Sequence, residues 1–197
     1  MKNSLLPKRT LLALPIAVAM AALLHAQATT DTYKPTVGQA GKDVVWVPTP
    51  QQLVDTMLDM AKVTPQDVVM DLGSGDGRNV ITAAKRGARA MGVEYNPDMV
   101  ALSKKNAATE RVTKATFVQA DLFTVDLSKA SVITMFLLPT INLKLRPSLL
   151  DLKPGTRVVS NTFDMGDWEP EKRIEVEGRY LYLWRIPKTP PVLKDSQ

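Results

Sequence analysis

The chain has 197 residues, no cysteine and a single histidine, His25. That length suits one domain with a tail, and 45% hydrophobic against 23% charged residues describes an ordinary globular chain. Without cysteine there are no disulfides, thiolate metal sites or Cys nucleophile, and the net charge of +5 comes without a dense Lys/Arg run that would point to nucleic acid.

Residues 1–28 combine Lys2, Lys8 and Arg9 with an apolar run of 14 residues (11–24) and Ala26-Gln27-Ala28. This is the layout of a secretory signal peptide, so the expectation is cleavage after Ala28 and export to the periplasm or cell envelope. The run is shorter than the ~20 residues that span a bilayer; an uncleaved anchor or a buried helix is the alternative, and only the anchor implies membrane contact. Cleavage would leave 169 residues with a charge of +2 and no imidazole. Ser-His-Asp catalysis and His-metal chemistry would then be excluded together. Residues 29–43 lack apolar periodicity and read as a flexible arm, residues 44–187 as the folded domain and 188–197 as a loose tail.

Thr49 is predicted to cap a helix, with Pro50 in its first turn and Gln52 completing a capping box. A short apolar strand, 67–72, runs into Gly73-Ser74-Gly75-Asp76-Gly77 and a helix over 78–86 that Gly87 stops. Ala88–Glu94 is a second strand, and Asn96-Pro97-Asp98 opens a helix reaching about Ala108. Ala115–Ala120 is a third strand. Ser131–Leu138 reads as a fourth, buried on both faces. A helix over 140–151, bent or broken near Pro147, leads to a fifth strand at Thr156–Asn161. Arg173–Val176 and Arg179–Ile186 form a closing hairpin. The stretch Thr162–Glu171 is too short for a full helix; it is either a simple connection or a substrate loop bearing Trp168.

Alternating strands and helices predict an α/β fold, a Rossmann-like, doubly wound and mostly parallel sheet ending in an antiparallel hairpin. Ligands of such sheets bind beyond the carboxyl ends of the strands. The glycine loop can bring a ligand close to backbone N–H groups at a helix start. Its G-x-G-x-G spacing puts Arg78 where the dinucleotide pattern needs a third glycine. Glu94 lies 23 residues after Asp71 and can accept two ribose hydroxyls; Asp121 with Leu122 can meet an adenine amine. Each acid alone reads equally well as a strand-end charge or a turn cap. Three at successive strand ends point to one site.

VVMDLGSGDGRNV, GVEYNP and QADLF resemble the motifs of class I, seven-β-strand S-adenosylmethionine-dependent methyltransferases. The resemblance spans about residues 44–186. It is strongest to a bacterial group with a VPTP segment and to the mitochondrial lysine methyltransferases that act on the adenine nucleotide translocase and on ATP synthase. The stretch FLLPTINLKLRPSLLDLKPGTRVVSNTFDMGDWEP extends it. The resemblance implies S-adenosyl-L-methionine as cofactor, a protein lysine as acceptor and no metal. It implies that Asp71 and the loop (Gly73, Ser74, Gly75, Asp76, Gly77) hold the methionine part, Glu94 with Tyr95 the ribose side, and Asp121 with Leu122 the adenine. Thr49 and Pro50 would close over it.

Phe136-Leu-Leu-Pro139 replaces the Asn/Asp-Pro-Pro-Tyr motif of many nucleic-acid amino-methylases, so no nucleic-acid partner is expected. Pro139, Thr140 and Asn142 follow the fourth strand where an acceptor would approach, and Asn142 is the candidate to orient the amine. The competing readings are a non-catalytic S-adenosylmethionine-binding protein of the envelope and an aminopropyl transferase.

Overall fold

The computed structural model describes residues 33–194. The expected signal peptide, the start of the arm and the last three residues lie outside them. The elements are α1 (Gln51–Met60), β1 (Val68–Leu72), α2 (Arg78–Lys85), β2 (Arg89–Glu94), α3 (Pro97–Thr109), β3 (Ala115–Gln119), β4 (Val132–Met135), α4 (Pro139–Leu150), β5 (Arg157–Asn161), β6 (Lys172–Val176) and β7 (Arg179–Arg185). They build one seven-stranded sheet in the order β3-β2-β1-β4-β5-β7-β6. The first five strands are parallel, and β7 is antiparallel to both β5 and β6. The expected doubly wound sheet with its antiparallel close is therefore present. The reversal of strand order between β1 and β4 is the topological switch point where such sheets take ligands.

Both faces of the sheet are covered, which is why its central strands are apolar without alternation. Val69, Val132 and Val159 face a core shared with Leu53, Met57 and Leu58 of α1 and Val80 and Ile81 of α2. Met70, Ile133 and Val158 face the opposite core with Leu145 and Leu149 of α4 and with Trp168 and Trp184. At the amino ends of the strands a buried polar knot ties the sheet together. The Asp67 carboxylate accepts from Thr64 N–H (2.8 Å), from Ser131 Oγ (2.7 Å) and from the Arg157 guanidinium. Burial alone would raise this carboxyl's pKa; those donors outweigh it and hold the group below its ordinary range.

Four expectations change. α1 begins one residue later than the capping box requires. Pro50 is the N-cap and has no side-chain cap bond, while Thr49 turns inward and is buried. β4 is only Val132–Met135 because Phe136–Leu138 leave the sheet. α4 runs through Pro147 unbroken. Trp168 is core rather than a substrate contact: it is buried, its ring lies 5.9 Å from Trp184, and its carbonyl accepts the Trp184 indole N–H at 2.7 Å. Of the tail, Leu193 packs against the core and Lys194 N–H bonds to the Asp167 carboxylate.

Candidate active site

The carboxyl ends of β1, β2 and β3 converge on one open cleft with a free volume of about 1000 Å³ including its mouth. Thr49, Asp71, Gly73, Ser74, Gly75, Asp76, Glu94, Tyr95, Asp121 and Leu122 all line it. Pro50 and Gly77 do not, and act instead as the N-caps of α1 and α2.

The loop folds back on β2: Gly73 and Ser74 N–H both donate to Val93 O, at 2.9 and 3.0 Å. Gly77 needs its φ of +85° to start α2, and a Cβ there would meet the Phe117 ring at 2.7 Å. Gly92, which sequence reasoning does not single out, is as demanding. A Cβ on it would meet Ser74 Oγ at 2.5 Å, so the loop can lie on β2 only because residue 92 is glycine. No turn signal marks a glycine inside a strand; close approach of another backbone is the one clue it gives.

Asp71 is buried at the centre of the site. Its Oδ1 accepts from Thr134 Oγ1 (2.6 Å) and Asn79 Nδ2 (2.9 Å). Burial pushes its carboxyl up to about 6, against those two donors, with Glu94 and Asp76 adding repulsion. Glu94 is held by two backbone donors, Gly75 N–H at 3.0 Å and Asn96 N–H at 2.9 Å. Asp76 pairs with Arg78 at 2.5 Å, and the guanidinium also donates to Thr49 O at 2.8 Å. That bond ties the VPTP segment to the loop.

The arm is part of the wall. Gly38 N–H bonds to Trp46 O and Trp46 N–H to Gln39 O, making a small hairpin whose residues 39–46 line the cleft. Lys42 reaches across it to Asp121 at 2.7 Å and lies 5.0 Å from the centre of the Tyr95 ring. The arm therefore has structure where composition suggests none, because its hairpin bonds, the Lys42–Asp121 pair and the packing of Val44 against the core hold it.

Pro139, Thr140 and Asn142 are not among the residues that line the cleft; Phe136, Leu137 and Ile141 are. Pro139 and Thr140 are exposed in the first turn of α4. Asn142 is fully buried, with its amide donating to Phe163 O (3.2 Å) and Asp164 O (3.0 Å). The structure thus gives it a partner in the chain's own backbone, not an opening toward an acceptor amine.

The site suits a cationic, adenosine-bearing cofactor. Five carboxylates line the cleft against two cations, Lys42 and Arg78. Buried Ser74 Oγ and Asn79 Oδ1 have no protein partner, and Glu94 keeps lone pairs for hydroxyl donors. With a sheet of this order, the site defines an S-adenosylmethionine-dependent methyltransferase. Similar proteins narrow this: residues 71–172 match the family described as the ANTKMT methyltransferase domain, and the chain belongs to it. It is 47% identical over 150 residues to a protein-lysine N-methyltransferase of Saccharolobus islandicus (strain REY15A), covering 71% of this chain and 93% of that one. It is 36% identical over 120 residues to the adenine nucleotide translocase lysine N-methyltransferase of Mus musculus, covering 59% of this chain and 52% of the mouse one. Among solved structures, an RNA methyltransferase of Salinibacter ruber in complex with S-adenosyl-L-homocysteine is similar at 50% identity and a TM-score of 0.72. That match covers 74% of this chain and 97% of the other.

Proposed function

We propose that this methyltransferase modifies lysine side chains of proteins. The observation that carries the reading is the 47% identity to the Saccharolobus islandicus protein-lysine N-methyltransferase, which extends over 93% of that protein. When bound, S-adenosylmethionine supplies an electrophilic methyl group on sulfur. On this reading Asp71 and the glycine loop receive the methionine end, Glu94 the ribose hydroxyls and Asp121 the adenine amine. The side chains of Thr134 and Asn79 fix the Asp71 carboxylate, and the backbone of Gly75 and Asn96 fixes that of Glu94. Holding donor and nucleophile ~3–3.5 Å apart and in line is enough for such a displacement. It requires no imidazole, thiol or metal of the chain. A lysine acceptor, with a reference pKa of about 10.4, must lose its proton first, and a sulfonium charge beside it favours the neutral amine.

A second reading has a specific observation in its favour, the 50% identity to the Salinibacter ruber RNA methyltransferase. One experiment separates the two. The protein is incubated with labelled S-adenosylmethionine and, in parallel, with cell-envelope protein and with total RNA, and the labelled product is hydrolysed. Methyl-lysine in the protein arm supports the proposal; label confined to nucleosides replaces it with RNA methylation. We propose further that the leader exports the protein to the cell envelope. A mature N-terminus at Thr29 in an envelope fraction is the expected finding, and an intact Met1 on cytoplasmic protein would refute it.

A further inference from the structure

An aromatic pair on the rim beside β4 and β5 is left unused by the cofactor assignment. Phe136, the first residue after β4, lines the cleft, and its ring stacks on Phe163 with centroids 6.3 Å apart and planes at 25°. Arg179, which opens β7, sits with its guanidinium carbon 5.5 Å from the centre of the Phe136 ring. Among the described residues that guanidinium has no ion pair or hydrogen bond. What it meets is the ring of Phe136, which lines the cleft; Phe163 and Arg179 stand behind that ring and are not themselves among the lining residues.

Hydrogen bonds hold Phe163 at the end of a strained turn. Thr162 has φ +71°, a conformation that a β-branched residue rarely adopts. Across it Phe163 N–H bonds back to Asn161 O at 2.9 Å, closing a three-residue turn of the strained kind. Four further bonds pin the turn: Thr162 N–H to Tyr180 O (2.7 Å), Ser160 Oγ to Phe163 O (2.6 Å), and the Asn142 amide to Phe163 O and Asp164 O. Backbone strain that many bonds over-determine clusters at ligand clamps. Asn142 thereby helps to fix the backbone that carries Phe163.

We propose that Phe136 and Phe163 form the wall that receives the acceptor lysine, and that Arg179 is the cation which keeps this wall until the lysine ammonium displaces it. The inference rests on the lysine reading above. A ring face attracts ammonium and guanidinium alike, so acceptor and Arg179 compete for the same surface. The aliphatic stem of a lysine packs on a ring as its head passes. The displaced guanidinium stays near enough to disfavour the protonated amine, whose proton leaves to water.

The test uses the full chain, denatured cell-envelope protein as acceptor, labelled S-adenosylmethionine, and methyl-lysine counted after hydrolysis. Arg179→Ala is expected to lower the half-saturating acceptor concentration about 3–10-fold, Phe136→Leu to raise it by a similar factor, and Arg179→Lys to resemble the parent. S-adenosylhomocysteine affinity by calorimetry stays within about twofold for both Arg179 variants. The Arg179→Ala effect disappears in a Phe136→Leu background, which a merely structural role would not produce. Should Phe136→Leu fail to fold, Phe163→Leu takes its place. An unchanged or raised half-saturation in Arg179→Ala, with methyl-lysine still formed, overturns the wall alone. Parent protein that binds S-adenosylhomocysteine but labels no lysine overturns the lysine reading, and the wall with it.

Discussion

Asp71→Asn is expected to make the protein more stable and less able to bind its cofactor. The carboxyl is buried, and its pKa stands at about 6 rather than 3.8. Because the native state holds the proton more tightly than the unfolded chain, stability falls as pH rises from about 4 to about 6, then levels off. A displacement of this size costs about 3 kcal/mol above pH 6. The amide removes that cost. Its oxygen can still accept from Thr134 and Asn79, and its N–H₂ gains a candidate acceptor in Asn79 Oδ1, which has none. Urea unfolding at pH 7.5 should therefore place the variant up to about 3 kcal/mol above the parent, with the gap closing toward pH 4.5. In melting temperature that is up to roughly 6–12 °C for a domain of this size. S-adenosylhomocysteine affinity should drop. The parent's affinity should also weaken as pH falls through about 6, and the variant's should not. A variant less stable than the parent at pH 7.5, or a stability gap identical at both pH values, would refute the reasoning.

Glu94→Gln keeps one oxygen for Gly75 or Asn96 N–H but sets an amide N–H₂ against the other; calorimetry should find cofactor binding weaker by about 1.5–3 kcal/mol, the range of a hydrogen bond to a charged group. Trp168→Ala empties a core site between Trp184 and Met165 and should cost about 3–5 kcal/mol in chemical denaturation, with cofactor affinity retained in the protein that remains folded. Acidification acts through Asp67, whose pKa is held down in the native state. Its contribution is present above the ordinary carboxylate range and is lost as pH falls through the lowered value, so Asp67→Asn should flatten the acid limb of the stability curve.

The parallel strands are legible because each is a short, largely apolar run bounded by turn residues, and the three strand-end acids are the motif itself. Asn96-Pro97-Asp98 announces α3, whose cap indeed accepts from Asp98 and Met99 N–H. What sequence reasoning misses depends on partners far along the chain. Thr134 and Asn79 approach Asp71 from another strand and a helix. Gly92 is defined by Ser74, and Lys42 by Asp121. Asn142 resembles a site residue because it follows β4 in sequence. On a helix, though, adjacent residues point in different directions, and Ile141 rather than Asn142 reaches the cleft. The expected cap at Thr49 is absent for a tertiary reason: Arg78 donates to the Thr49 carbonyl and Asn161 to its hydroxyl.

The strand order carries one more consequence. Residues 68–121 supply β1, β2, β3 and all the acids at their ends, whereas residues 132–185 supply β4, β5 and the closing hairpin with Phe136, Phe163 and Arg179. Within the sheet the two stretches meet along the β1–β4 ladder. If the proposed acceptor wall holds, the strand-end acids and the wall fall in consecutive stretches of the chain, joined where Thr134 of β4 donates to Asp71 of β1. On that reading, substitutions at Phe136, Phe163 or Arg179 are expected to change acceptor use, whereas Thr134 has to be kept because it fixes the Asp71 carboxylate.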